Sequence, residues 1–331
     1  MLTAIVILNF NGQKHLETYL PSVIKHTENA DIWVADNAST DQSIDYLKTA
    51  YPTVKIIQLP KNFGFAEGYN QALKQLGHYT YFVLLNSDVE VTNNWLPPLI
   101  ERLQSADHIA VCQPKVRAYL QKEHFEYAGA AGGFLDILAY PYCRGRIFDS
   151  LEKDTGQYDS PSEIAWATGA CMAIKTDAFL KNGGFDGRFF AHMEEIDLCW
   201  RLRNLGYSSF YEPKSLVYHL GGGTLHKSNP HKTFLNFRNG LALLFKNSPS
   251  MSLLWKIPAR LILDGVAGIK FLTEGNVGDF KAILRAHFAF YAMIPYLIGR
   301  TKGIPSRNKS LTNRSIIVDY YLKGKKTFNQ L

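Results

Sequence analysis

The feature that most restricts this chain is the order of its first 115 residues, where short uninterrupted apolar runs alternate with amphipathic stretches. Apolar runs lie at 3–8, 31–35, 55–58, 79–85 and 109–113, and helical spacing fills 15–27, 40–51, 66–75 and 95–105. Strands buried on both faces, each followed by a helix that crosses back, predict an α/β fold with a mostly parallel sheet flanked by helices. A chain of 331 residues that is 46% hydrophobic has the apolar material for such a core and an appendage. Clusters of Asn, Asp and Gly stand directly after the runs, at the edge where open α/β sheets bind ligands.

Further along, residues 116–162 lack a clear period and are rich in Gly and Tyr, which reads as an insertion lining one side of a site. Order returns at 165–174, followed by a helix from Thr176, short strands at 208–211 and 216–219, and a helix at 231–246. No internal repeat is visible.

Charge divides the chain. Residues 246–331 hold 14 Lys and Arg against 4 Asp and Glu, a balance of +10, whereas the first 245 hold 22 against 25, a balance of −3. An acidic body with a basic attachment does not suit a nucleic-acid-binding protein, and no nucleic acid partner is expected. In the tail, Trp255, Ile257, Leu261 and Ile262 interleave with Lys256 and Arg260, a pattern of helices at a membrane surface, with an ordinary helical appendage or a dimer face as the plainer alternative. The longest uncharged run there, 286–299, is too short to span a bilayer and contains Pro295. The expected division is residues 1–247 as a catalytic domain and 248–331 as a basic amphipathic helical region. Cys112, Cys143, Cys171 and Cys199 have no metal or disulfide-scaffold spacing and read as reduced, buried thiols. The opening run has no basic segment before it and no cleavage pattern, so no signal peptide is expected.

Several clusters have residues able to do chemistry. Asn9-Phe10-Asn11-Gly12 either shapes a loop against a ligand or is a plain turn. Asp36, after the second strand, can accept from a ribose hydroxyl or a base N–H, or belong to a helix cap with Ser39 or Thr40. The segment Asn62-Phe63-Gly64-Phe65-Ala66-Glu67-Gly68-Tyr69-Asn70 offers close backbone approach at Gly64 and Gly68, and helix N–H groups for a phosphate. Asn86-Ser87-Asp88 leaves the most apolar run; Asp88 suits a hard divalent cation, or caps the next helix. In Glu194-Glu195-Ile196-Asp197, neighbouring carboxylates raise one another's pKa as a general base requires, and Asp197 can pair with Arg201; a solvated acidic turn is the plainer alternative. His219 either joins Asp88 on a metal or is structural.

In serial order, Asp36, Asn62 to Asn70, Asn86-Ser87-Asp88, Gly183-Gly184-Phe185-Asp186, Glu194 to Leu198, Arg201 and His219 resemble family 2 glycosyltransferases with the GT-A fold. The likeness extends over residues 1–245 and is greatest to the rhamnosyltransferase-like branch of non-processive bacterial enzymes. It implies a nucleotide-sugar donor held by Asn9, Asn11, Asp36, Asn62, Gly64, Asn70, Asn86, Ser87, Asp88 and Arg238. It implies Mg²⁺ or Mn²⁺ on Asp88 and His219, with Asn86 in place of the first acid of a DxD motif. Glu195, with Asp197, stands where the catalytic base is expected, and Glu194, Thr168 and Gly169 on the acceptor side. The implied acceptor is a saccharide, free or linked to polyprenyl diphosphate. The implied location is cytoplasmic, peripheral on the inner face of the cytoplasmic membrane. A nucleotidyltransferase is disfavoured by the lack of a Gly-rich start with Arg and Lys, and a processive synthase by the lack of a QxxRW sequence. A non-catalytic nucleotide-sugar or membrane-binding protein is the remaining alternative.

Overall fold

Each of the early apolar runs becomes a strand in the computed structural model, which describes residues 2–221, 229–301 and 311–331. The strands are β1 (Thr3–Asn9), β2 (Asp31–Asp36), β3 (Lys55–Gln58), β4 (Tyr81–Asn86), β5 (Val89–Val91) and β6 (Ile109–Ala118). Helices α1 (Gln13–His26), α2 (Ser43–Ala50), α3 (Gly64–Leu73) and α4 (Pro97–Gln104) connect them. Neighbouring strands β3, β2, β1 and β4 are all parallel. Their register sets Asn9 beside Asp36 and Leu8 beside Asn86, so three strand ends bring polar residues to one edge.

Beyond β4 the sheet becomes mixed. Strands β11 (Ser162–Ile164), β12 (Cys171–Lys175) and β13 (Ser208–His219) complete it, with β12 antiparallel between β4 and β6 and β13 parallel to β6. The two runs expected at 208–211 and 216–219 are one strand, interrupted by a register shift between Glu212 and Leu216 where Pro213 cannot donate to the ladder. The segment 116–162 is more ordered than its sequence suggests. It contains β7 (Gly133–Leu135), β8 (Pro141–Cys143), β9 (Arg146–Ile147) and β10 (Ser150–Leu151), a small antiparallel sheet of strands too short to have a period.

The remaining helices are α5 (Thr176–Lys181), α6 (Glu194–Asn204), α7 (Pro230–Asn247), α8 (Ser250–Thr273) and α9 (Val277–Thr301). Helix α9 lies along α7 and buries Ala282, Ile283, Ala286, Phe290 and Leu297. It is longer than the run 286–299, because an amphipathic helix tolerates Lys281 and Arg285 on its exposed side. Its segment Val277–Arg300 is long and apolar enough to cross a membrane by length and composition, the only such helix among the described residues. The last residues return to the small sheet, where Leu311 bridges Leu135 and the Phe328 ring packs on Phe134 and Tyr142. All four cysteines are buried and unpaired.

Candidate active site

The edge at β1 and β2 is built by side chains that hold one another. Asn9 is fully buried and donates to Asp36 (3.0 Å) and to the Ser39 hydroxyl (3.1 Å). Asp36 also accepts from the Ser39 N–H, and the Asn11 carbonyl oxygen accepts from the N–H groups of Thr40 (2.7 Å) and Asp41 (3.3 Å). A side chain at Gly12 would begin 2.5 Å from the Asn9 amide oxygen, so only glycine lets the loop close here. Asn37 extends the bracing to the next turn, donating to Asn62 and the Gly64 carbonyl and accepting from the Phe63 N–H. Asn62 in turn accepts from the Gly64 N–H (2.8 Å). Gly64 has a φ of 75°, and a Cβ there would fall 2.6 Å from the Phe190 ring.

Asn70, expected at the donor, braces the fold instead. Its amide donates to the Phe185 carbonyl and accepts from the Phe185 N–H, fastening α3 to the turn at 183–186. Thr168 is buried; its N–H donates to Gln113 and its hydroxyl accepts from the Ala170 N–H. The Ala170 carbonyl accepts from the Asn86 N–H, which sets Thr168 and Gly169 beside the end of β4. Ser87 lies close to Gly12, across from β1.

Asp88 and His219 meet. A carboxylate oxygen of Asp88 stands 3.2 Å from His219 Nε2, and Glu126 stands 3.5 Å from the other ring nitrogen. All three residues are buried. Burial alone would favour neutral imidazole, but Glu126 and Asp88 outweigh it and raise the His219 pKa to about 10. Burial likewise opposes charge on Asp88, and His219 with His15 more than compensates, lowering its pKa. Among the described residues no set of three or more acidic, His or Cys side chains is arranged to hold a metal ion unaided. Asp88 and His219 meet as an ion pair here, and they would serve as neighbouring ligands of one Mg²⁺ or Mn²⁺ once His219 gives up its proton. Glu126 then orients the imidazole from behind, as carboxylates do for metal-binding histidines. Its position could not be read from the sequence, since 93 residues separate it from His219.

The third group is the first turn of α6. The chain reaches it through Phe190, His192 and Met193, all non-glycine residues at positive φ (66°, 68° and 74°). Asn239 holds this strained approach by donating to the carbonyls of Phe189, Ala191 and His192. Arg238 donates to the carbonyls of Arg188 and Phe189, so in this structure it braces the approach to α6. Each of Glu194 and Glu195 has one buried carboxylate oxygen with no hydrogen bond among the described residues. Burial pushes Glu195 up to about 7, while burial, Glu195 and Asp197 together hold Glu194 well above the ordinary range.

Asp197 is in a different setting. One of its oxygens accepts from Arg201 (2.8 Å) and Lys246 (2.9 Å), the other from Asn247 (2.9 Å). Burial would raise its pKa, but Lys246 and Arg201 hold it at about 2. Lys246 also donates to Asp186 (2.6 Å), which accepts from Tyr296 on α9 (2.8 Å). The expectation that Asp197 shares the chemistry of Glu195 is therefore replaced by an ion-pair role: both its oxygens are engaged inside the core. Arg201 was visible at i+4; Lys246 and Asn247, on another helix, were not.

The sheet edge thus collects Asn9, Asn11, Asp36, Asn62, Gly64, Asn86, Ser87, Asp88 and His219, and the Phe190 approach joins Glu195 to it through Gly64. The Phe65 and Ala66 N–H groups both donate to the Phe190 carbonyl. A parallel sheet that turns mixed, with polar and acidic residues gathered at one edge, is the architecture of a GT-A glycosyltransferase.

Solved structures share it. The crystal structure of GalNAc-T7 with UDP, GalNAc and Mn²⁺ superposes with a TM-score of 0.55 at 17% identity over 71% of this chain and 48% of that one, about half its length. The mannosyltransferase PcManGT of Pyrobaculum calidifontis, in complex with GDP-Man and Mn²⁺, gives 0.51 at 15% identity over 90% and 85%. The chain belongs to glycosyl transferase family 2, whose sequence profile matches residues 4–179. It is 25% identical over 289 residues to the N-acetylglucosaminyl-diphospho-decaprenol L-rhamnosyltransferase of Mycobacterium tuberculosis, spanning 80% of this chain and 90% of that protein. The protein is thus a glycosyltransferase, similar at modest identity to a rhamnosyltransferase.

Proposed function

We propose that the protein transfers a sugar, with inversion, from a dTDP- or UDP-sugar such as a rhamnose donor to a saccharide linked to polyprenyl diphosphate, in cell-surface polysaccharide synthesis. The observation that carries this reading is the Asp88–His219 couple at the sheet edge together with Glu195 at the start of α6, one of whose oxygens has no hydrogen bond among the described residues and whose pKa of about 7 suits a base. The name of the mycobacterial relative favours the rhamnose donor and the lipid-linked acceptor.

In this mechanism Asp36, fixed by Asn9 and Ser39, accepts a hydrogen bond from the nucleoside. Asn62 and Gly64 shape the turn beside it, and Ser87 closes the edge near Gly12. Asp88 and His219 hold a divalent cation, which when bound supplies positive charge to the donor diphosphate. Glu195 takes a proton from the acceptor hydroxyl. That oxygen attacks the anomeric carbon opposite the diphosphate, the C–O bond to the diphosphate breaks, and the nucleoside diphosphate leaves. Thr168, Gly169 and Glu194 line the acceptor side. The protein works from the cytoplasmic face of the membrane, with residues 248–331 as the attachment region.

Melting temperatures with UDP-, dTDP- and GDP-sugars, each with Mn²⁺, Mg²⁺ or EDTA, test the donor site. One nucleotide class should raise the melting temperature in a metal-dependent way. No shift with any donor at concentrations far above a plausible Kd contradicts the reading. Asp88→Ala should abolish the metal response.

A further inference from the structure

Helix α8 is built inside out. Its exposed side is apolar, with Met251, Leu254, Trp255, Ile262, Val266 and Ile269 open to solvent. Its inward side holds Lys256, Arg260 and Asp264, each 3% exposed or less. A helix on a globular body normally does the reverse. Residues at 256, 260 and 264 are one turn apart, so the charges form a single row facing the body.

The acidic groups near this row are already engaged. Asp136 accepts from the N–H groups of Leu138, Tyr140 and Ile316. Asp264 contacts the Tyr140 hydroxyl (3.3 Å) and His287 (3.1 Å), and stands 3.9 Å from Arg260. Arg260 lies 3.7 Å over the Tyr140 ring and donates to the Leu138 carbonyl, and its Nε has no hydrogen bond. Lys256 has no carboxylate within ion-pair distance among the described residues, and the residues outside that set contain no Asp or Glu. The Trp255 ring lies 5.6 Å from its ammonium, and Asp136 acts on it only from beyond ion-pair distance. A buried ammonium held by no direct ion pair is costly, and an anionic ligand would offset that cost.

The row is next to the catalytic machinery. A Cβ on Gly240 would lie 2.6 Å from the Arg260 guanidinium, so glycine lets Arg260 approach α7 at the residue after Asn239. Asn239 is the residue that fixes the approach to Glu194 and Glu195. An anion at Lys256 and Arg260 would therefore lie against α7 beside the brace that fixes the approach to α6, and an apolar chain attached to it would run out beside the exposed face of α8.

We propose that Lys256 and Arg260, against the 136–140 turn, form the subsite for the diphosphate of an isoprenoid-diphosphate-linked acceptor, with the outward face of α8 against the lipid. This rests on the lipid-linked acceptor read under the proposed function, and adds the residues that hold it. Two cations one turn apart match a diphosphate, and the apolar face matches the isoprenoid.

The test uses the full chain in detergent micelles with its donor site filled by nucleoside diphosphate, titrated with farnesyl diphosphate, farnesol and inorganic pyrophosphate. Farnesyl diphosphate should bind most tightly, and Lys256→Met should weaken it about ten- to a hundredfold, the worth of one charge-assisted contact. Farnesol binding should not change, and the melting temperature of Lys256→Met should be equal or higher, because an unpaired buried charge has been removed. Arg260→Lys, which keeps the charge but loses the fork, should weaken binding less than Lys256→Met does. Undiminished farnesyl diphosphate binding by Lys256→Met overturns the proposal. So does a variant that loses binding to phosphatidylglycerol vesicles but keeps farnesyl diphosphate, since the cation then serves a phospholipid headgroup. A nucleotide-sugar titration of the same samples separates the two claims: a wild-type protein that binds no donor sinks the larger reading, whereas normal donor binding with an unaltered farnesyl diphosphate response sinks only this one.

Discussion

The first turn of α6 and its junction with α7 bury carboxylates side by side and treat them in opposite ways. At the first turn, Glu194 and Glu195 form no ion pair among the described residues, and burial drives both pKa values up. At the junction, Asp197 has Arg201, Lys246 and Asn247 on its oxygens and is held at about 2. Glu195 retains the capacity to take a proton near neutral pH and Glu194 is held well above the ordinary carboxylate range, whereas Asp197 stays ionised and fastens α6 to α7. Within one helical turn, partners rather than residue type separate chemistry from architecture. Lys256 extends the rule to cations, since it makes no direct ion pair among the described residues where Lys246 bridges Asp186 and Asp197.

The largest expected effect is at the first turn. Glu195→Gln should lower transfer by about 10²- to 10⁴-fold, the usual contribution of a general base, with the donor-induced rise in melting temperature intact. Equal loss of donor binding would move Glu195 out of the proton-transfer role.

At the junction the expected loss is of stability. Asp197→Asn leaves Lys246 and Arg201 short of a buried countercharge and should cost about 3–5 kcal/mol, read as a lower denaturation midpoint. The pH dependences should also have opposite signs. The Asp197 pKa is depressed on folding from 3.8 to about 2, so its stabilisation is complete above pH 4 and is lost as pH falls through 2. The Glu195 pKa is raised from 4.5 to about 7, so it favours the fold below 4.5 and that contribution is lost as pH rises through 7. Acid and neutral unfolding titrations of Asp197→Asn and Glu195→Gln should each flatten one of these two regions and leave the other.

A smaller effect tests the brace between them. Asn239→Ala removes the amide that donates to three carbonyls of the Phe190 approach and should reduce transfer by about ten- to a hundredfold through misplacement of Glu195. Donor binding at Asp36 and Asp88 should be unaffected. The smallest effect is expected on the outer face of α8, where Ile262→Ser with Val266→Ser removes exposed apolar area. Vesicle binding should weaken by roughly tenfold with no change in melting temperature.

Much of the frame was legible in the sequence, because β1 to β4 are continuous apolar runs with a polar cluster at each end. That pattern led directly to Asp36, Asp88 and the turn at Gly64. The short strands were not legible: β5 and β7 to β10 have two or three residues each, too few for a period. Pro114 likewise hid the length of β6, which continues to Ala118. Within the site, groups that act through distant partners were missed. Asn37 drew no reading of its own from the sequence, yet it stitches β2 to the Asn62 turn. Glu126 lies in the stretch without a period and acquires meaning only beside His219. The roles of Asp197 and Arg238 depend on helix contacts that spacing does not encode, and the inverted face of α8 emerges only once the body shows which side is inward.

The most direct test is the pH dependence of transfer by the wild-type protein and by Glu195→Gln, from about pH 5 to about pH 9 at saturating donor. A base of pKa about 7 predicts a wild-type rate that rises about tenfold per pH unit and levels off above 7. Glu195→Gln should be slow throughout and should lack that limb. A variant that transfers at the wild-type rate with the same limb would place the base elsewhere and contradict the contrast between Glu195 and Asp197.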